Sequence, residues 1–174
     1  MKYLIAFLLL LSPIMVSAAS ISFEPQDASA GVGTAFVVAV DATADEYVNA
    51  FEVFIEVPPS LGPLDVSDGN SIISLWLERP TFDETTRTLS FSGIVPNGFA
   101  GEKGRLVTIT FKPIEPASGA HLRVRSESRL FAEEGMPVPL TSVPLLLPIS
   151  ADKQNTANEL PDTDPPETFD ITVV

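Results

Sequence analysis

The clearest patterning in this chain lies between Asn70 and Phe111, where three apolar runs are separated by turn residues. Ser71–Leu77 is bounded by Gly69-Asn70 and Pro80. Leu89 and Phe91 alternate with Thr88, Ser90 and Ser92, and Val107, Ile109 and Phe111 alternate with Leu106, Thr108 and Thr110. A period of two is that of a strand with one buried and one wet face, so the stretch predicts three strands. Gly93, Pro96-Asn97-Gly98, Gly101 and Gly104 predict a long loop between the last two. Thr81–Arg87, polar and without glycine, reads as an irregular loop or a single helical turn.

The same period recurs on both sides. Ile21 and Phe23 form a short edge strand ending at Glu24-Pro25, and Gly31-Val32-Gly33 is a turn. Phe36, Val38 and Val40 make the next strand, closed by a polar break over Asp41–Tyr47. Phe51, Val53, Ile55 and Val57 then face one way while Glu52, Phe54 and Glu56 face the other, which places two carboxylates on a solvated face. Leu64–Ser67 reads as a short strand and Glu115–Gly119 as a turn. Leu122 with Val124, and Arg129–Ala132, are further strands. Met136, Val138 and Leu140 continue the alternation, and Pro137 and Pro139 confine that strand to an edge. Eight or nine short strands, with no helix-period segment after residue 18, predict an all-β sandwich.

The ends differ from this core. Residues 1–18 carry Lys2, an apolar run over Leu4–Met15 and the small-residue motif Val16-Ser17-Ala18, the layout of a secretory signal peptide. A domain over 20–149 follows. Residues 150–167 are acidic and Pro-containing, as in a linker, and Phe169–Val174 within 168–174 reads as the opening of a further, immunoglobulin-like domain that is cut off. The formal charge is -13, from 10 basic and 23 acidic residues; removing Lys2 leaves 9 - 23 = -14. Such a surface repels phosphate backbones and anionic lipid, which argues against nucleic-acid binding and membrane insertion of the mature chain. There is no Cys, so a disulfide scaffold, a thiolate metal site and a thiol nucleophile are all excluded.

The segment Gly69-Asn70-Ser71-Ile72-Ile73, the Trp76 strand, Thr88-Leu-Ser-Phe-Ser-Gly93, a Gly-rich loop and Gly104-Arg-Leu-Val-Thr-Ile-Thr-Phe111 together resemble the cohesin domain, above all its divergent bacterial surface-protein type. The resemblance spans about Ile21–Ser142. It implies a nine-stranded jelly-roll β-sandwich of the cohesin and carbohydrate-binding-module type. It also implies recognition of a dockerin-like module through one sheet face, here the outer positions of the Glu52–Glu56 and Trp76 strands. Where the family's third strand ends in Tyr-Asp-Pro, this chain has Val57-Pro58-Pro59 followed by Leu61, so the family's aspartate is missing there.

Candidate chemistry is sparse. His121 is the single histidine, and no Gly-x-Ser-x-Gly context accompanies it; Asp83-Glu84 and Glu133-Glu134 are adjacent acids in turns of an acidic chain. The sequence therefore reads as non-enzymatic, with no cofactor. Asp65, Asp68 and Asn70 supply oxygen atoms of the type Ca²⁺ prefers but lack EF-hand spacing, so they read as turn residues and no metal is assigned. Trp76, Phe54, Tyr47, Phe82 and Phe99 are candidates for stacking on sugar rings, with core packing the competing reading for Trp76. Phe54, between two carboxylates, is the exposed apolar residue that suggests contact with a partner. The binding residues selected are Glu52, Phe54, Glu56 and Trp76. The expected function is that of an exported adhesion or scaffolding module at the cell surface or outside the cell, attaching to another exported protein. The alternatives are polysaccharide binding in polysaccharide catabolism and a ligand-free spacer.

Overall fold

The computed structural model describes residues 18–151. The expected signal peptide, linker and following domain fall on 1–17 and 152–174 and lie outside the described residues. The described residues form eleven strands: β1 Ala19–Pro25, β2 Ala30–Gly31, β3 Phe36–Glu56, β4 Leu61–Ser67, β5 Leu75–Asp83, β6 Thr88–Pro113, β7 Ala117–Val124, β8 Arg129–Phe131, β9 Pro137–Val138, β10 Leu140–Ser142 and β11 Leu145–Ser150. One 3₁₀ turn, Glu133–Gly135, interrupts them. The all-β reading holds, and the strand count is eleven rather than nine, two of the strands being only two residues long.

Two strands organise the rest. β3 and β6 pair antiparallel from Phe36↔Phe111 to Glu56↔Thr88, with register shifts between Val40 and Ala50. The first half of β3 also pairs with β1, which pairs with β10, and the last third of β6 pairs with β4. The second half of β3 pairs with β8 and, at Ile55 and Glu56, with β7, while the first third of β6 pairs with β5. Each long strand thus belongs to both layers of the sandwich, bending where the register shifts. β7 continues through β11 to β2.

The structure departs from five sequence readings. The polar break at Asp41–Tyr47 is strand, because Asp41, only 4% exposed, is held by the Arg105 guanidinium with Nε at 2.5 Å of its carboxylate. Arg105 also donates to Thr108 Oγ1 at 3.1 Å, and Lys103 lies 3.7 Å from the same carboxylate. The glycine-rich stretch after Phe91 is also strand, since it follows the irregular part of β3, with Gly101 opposite Ala44 and Gly104 opposite Ala42. The Trp76 strand starts at Leu75 rather than Ser71 and runs through Pro80 to Asp83; only Glu84–Arg87 remain as the hairpin turn. β11 has no counterpart among the strands read from sequence, and β1 is flanked on both sides over Ala19–Ile21 rather than being a plain edge.

A single core joins the layers. Val38, Val40, Val53, Ile55, Leu61, Leu89, Leu106, Val107, Ile109, Phe111 and Leu122 have no exposed surface. Phe36 stacks on Phe111 with ring centroids 5.8 Å apart in one layer, and Trp76 meets Phe91 edge-on at 6.2 Å in the other.

The close approach of β5 to β6 requires Gly93. It lies between Phe51 and Trp76 in the register, and a Cβ there would stand 2.3 Å from Ile73 Cγ2 and 2.9 Å from the Leu75 carbonyl oxygen. Gly93→Ala should therefore push β5 outward and destabilise the domain by about 1–3 kcal/mol, the usual range for overpacking. Urea unfolding checks this, and an unchanged midpoint would show that β5 is not seated as described.

Candidate functional site

The outer face of β8-β3-β6-β5 is defined by register. Alternation places Leu130, Phe51, Gly93 and Trp76 toward the core, and Phe131, Ala50, Ile94 and Leu75 outward in the neighbouring row. The next outward row is Arg129, Glu52, Ser92 and Glu78. After it come Phe54, Ser90 and Thr81, then Arg123, Glu56, Thr88 and Asp83. One end of the face is therefore apolar and the other charged. Leu75 is 53% exposed and Leu77, on the same face by alternation, is 67% exposed, while the register shift between Trp76 and Glu78 turns Glu78 outward as well.

The predicted site residues separate on this frame. Glu52, Phe54 and Glu56 share the outer face, as alternation required. Trp76 does not join them, since its indole is half-buried against the core and contacts Phe91. Phe54 is also half-buried rather than fully exposed, which corrects the expectation for it. Its backbone closes the gap between β7 and β8: Phe54 N–H donates to Ser128 Oγ at 3.0 Å, and Arg125 N–H donates to the Phe54 carbonyl at 2.8 Å. Ser128 is buried for that purpose, and no pattern in the sequence singles it out.

The aromatic platform expected of a sugar site is not assembled. Trp76, Phe82 and Phe99 pack against the core. That leaves Tyr47, 65% exposed, and Phe54, seven residues apart on β3. Asp68 pairs with Arg79, and among the described residues no three His, Cys, Asp or Glu side chains gather as metal ligands. His121 is exposed on β7 opposite Leu146, with no nucleophile in register beside it.

The charged end of the face is fixed by its hairpin. Asp83 accepts the Thr85 and Thr86 amides at 2.8 and 3.3 Å, and these hydrogen bonds hold its carboxyl below the usual aspartate range. Arg87, at φ 53°, donates to the carbonyls of Pro58 and Leu61 and lies over the Phe82 ring at 5.1 Å. It ties the β5–β6 turn to the end of β3.

No protein-family model matches the chain, nor does any curated protein. Solved structures do. A non-cellulosomal cohesin from the archaeon Archaeoglobus fulgidus superposes with a TM-score of 0.63 at 18% identity, over 76% of this chain and 91% of that one. A cohesin from Clostridium thermocellum, solved in a type I cohesin–dockerin complex, gives 0.66 at 10% identity over 80% and 97%. The cohesin module of a Clostridium perfringens family 33 glycoside hydrolase gives 0.62 at 13% identity over 78% and 98%. The chain has the cohesin fold. The expected sandwich architecture is thereby established, and the two long strands with their shared core are its frame in this cohesin-like domain.

Two expectations follow from the geometry. Trp76→Ala should cost about 2–3 kcal/mol, the lower end for a core aromatic because the indole is half-buried. A variant that instead kept its urea midpoint would place Trp76 outside the core. For Asp83 the folded-state pKa is depressed, so the turn's stabilisation is present above the unfolded value and lost as pH falls through the folded one. The Thr85 and Thr86 amide resonances should shift together in that acid range; pH-independent shifts would break the assignment.

Proposed function

We propose that the protein is an exported, non-catalytic attachment module, belonging to the cohesins, that docks another extracellular or cell-surface protein on the outer face of β8-β3-β6-β5. The observation that carries this reading is the composition of that face: an apolar row, Phe131, Ala50, Ile94 and Leu75, beside rows edged by Arg129, Glu52, Glu78, Arg123 and Glu56. Leu75 and Leu77 are large aliphatic side chains left in water, the kind of patch a partner covers. Charges around an apolar centre set orientation and partner choice. A dockerin-like module is the partner class that the cohesin resemblance supplies, and the dockerin complex of the Clostridium thermocellum cohesin supports it. Glu52, Phe54 and Glu56 serve as contact residues, while Trp76 supports the sheet from beneath. Polysaccharide binding has lost its platform, since three of the five candidate aromatics face the core.

The test is capture of a panel of dockerin modules and of the secreted protein fraction by the full chain after export. Leu75→Asp and Glu52→Arg should each weaken capture of a specific partner at least tenfold, about 1.4 kcal/mol, with urea midpoints unchanged. Capture that ignores both substitutions would move the docking face elsewhere. Retention on insoluble polysaccharide with no protein captured would replace this reading.

A further inference from the structure

The chain carries a net charge of -13, yet four of its six arginines, Arg87, Arg123, Arg125 and Arg129, gather where β7 and β8 meet the end of β3. Three of them open into one cleft of about 610 Å³, between the β5–β6 turn and the segment after β7. Its charged lining is Glu56, Arg87, Arg123, Arg125 and Glu127, with Thr86 and Ser126 between them. Arg125 also lines an adjoining hollow of about 240 Å³ with Arg129.

The charges in this cleft do not cancel. Arg87 is held by the carbonyl oxygens of Val57, Pro58 and Leu61, and Arg129 by those of Ser126 and Ser128. Neutral acceptors fix these guanidiniums without neutralising them. Among the described residues Arg125 is the one firmly ion-paired, with Glu127 at 2.7 Å, and its Nη1 donates to Thr88 Oγ1 at 3.0 Å. Arg123 is held loosely, 3.6 Å from Glu56 with its side chain 52% exposed, and makes no side-chain hydrogen bond among the described residues. Three guanidiniums and two carboxylates line the cleft, a net positive site in a strongly acidic molecule, and Arg129 in the adjoining hollow stands opposite Glu52 of β3.

We infer that this cleft binds carboxylates, and that its ligand is an acidic segment of a partner protein. Arg123 has a planar fork available for a bidentate carboxylate. Arg87 stands beside it as a preorganised positive charge, and Arg125 is already held by Glu127 and Thr88, so their ordering is not a cost of binding. A protein segment is favoured over an acidic polysaccharide for two reasons. No aromatic ring lines the cleft to stack on sugar, and Arg123 and Glu56 belong both to the cleft and to the charged row of the docking face. The inference rests on the docking reading for the class of ligand and adds to it the charge the partner must carry.

The probe is hexaglutamate, titrated into the full ¹⁵N-labelled chain at low ionic strength, with hexaglutamine and trigalacturonate as parallel arms. The overall charge repels the acidic probes, so attraction must be local. Saturable shifts at the Arg123 and Arg125 Nε–Hε groups, absent with hexaglutamine and fading with added salt, are expected. Arg123→Ala should weaken binding at least about fivefold and Arg123→Lys should restore it only in part, because ammonium lacks the fork. Urea midpoints confirm that both variants remain folded, and Arg87 is left intact because it ties the backbone. Shifts with trigalacturonate but not hexaglutamate, or no shifts with either, overturn the inference. Loss of partner capture in Leu75→Asp without hexaglutamate binding would sink the cleft alone, whereas hexaglutamate binding with no protein captured would sink the docking face alone.

Discussion

Everything in this domain depends on one pairing, that of β3 with β6. The two strands run side by side from Phe36↔Phe111 to Glu56↔Thr88, and every other strand except β2, which hangs on β11, is hydrogen-bonded to one of them or to a strand that is. Because each long strand lies in both layers, the layers cannot slide independently. A slip of one residue would turn Val53, Phe91, Val40 and Val107 outward together, exposing the centre of the core. Such pairing is also non-local: the far end of the β3–β6 ladder joins residues 75 apart, Phe36 and Phe111.

Keeping strands this long continuous requires polar groups to be satisfied inside the ladder. Asp41 would end β3 if its carboxylate had to remain in water, and Arg105, 64 residues away, removes that need. Ser128 supplies the donor and acceptor that neither β7 nor β8 can offer to the backbone of Phe54. Arg87 accepts a left-handed backbone conformation and in return holds the carbonyls at the end of β3. Each is a small polar solution at a point where regular pairing fails; Ser128 and Arg87 lie at the border of the outer face, and Asp41 lies in the half of β3 that pairs with β1.

These same points explain what the sequence left unread. Alternation identified β3 from Phe51 to Glu56, the Leu89–Phe91 and Val107–Phe111 parts of β6, and β7, because their core positions are apolar at a strict period of two. It failed at Asp41–Tyr47 because an aspartate in an apolar run looks like an interruption unless Arg105 is known to face it. It failed after Phe91 because glycines weaken strand propensity, although here Gly93 and Gly104 are what let neighbouring side chains and strands come close. On β5, Leu75, Trp76 and Leu77 alternate outward, inward and outward, but the register shift after Trp76 brings Glu78 outward as well, so the run does not keep one parity. β11 was hidden by Pro144 and Pro148, which flank a short leucine run that pairs through its remaining residues. Glu52 and Glu56 were legible as outer-face residues from their own strand. Arg123, Arg125 and Arg129 form a group only after β7 and β8 have both docked on β3.

The fold constrains one face of each central strand and leaves the other open. Cohesin structures at 10–18% identity superpose over more than three quarters of this chain, so inward positions filled by apolar side chains of the right size suffice for the architecture. The outward rows take no part in that requirement. Their chemistry follows from what this chain places there: aliphatic at Leu75 and Leu77, acidic at Glu52, Glu56 and Glu78, and basic along β7 and β8. The basic edge and the acidic centre lie on neighbouring strands, so the face has a direction as well as a composition. A partner that matched only the apolar row could dock in either sense; one that also met the arginines could dock in only one. Partner choice in a domain of this kind therefore has to be read from its own outer rows, because the shared frame carries none of it.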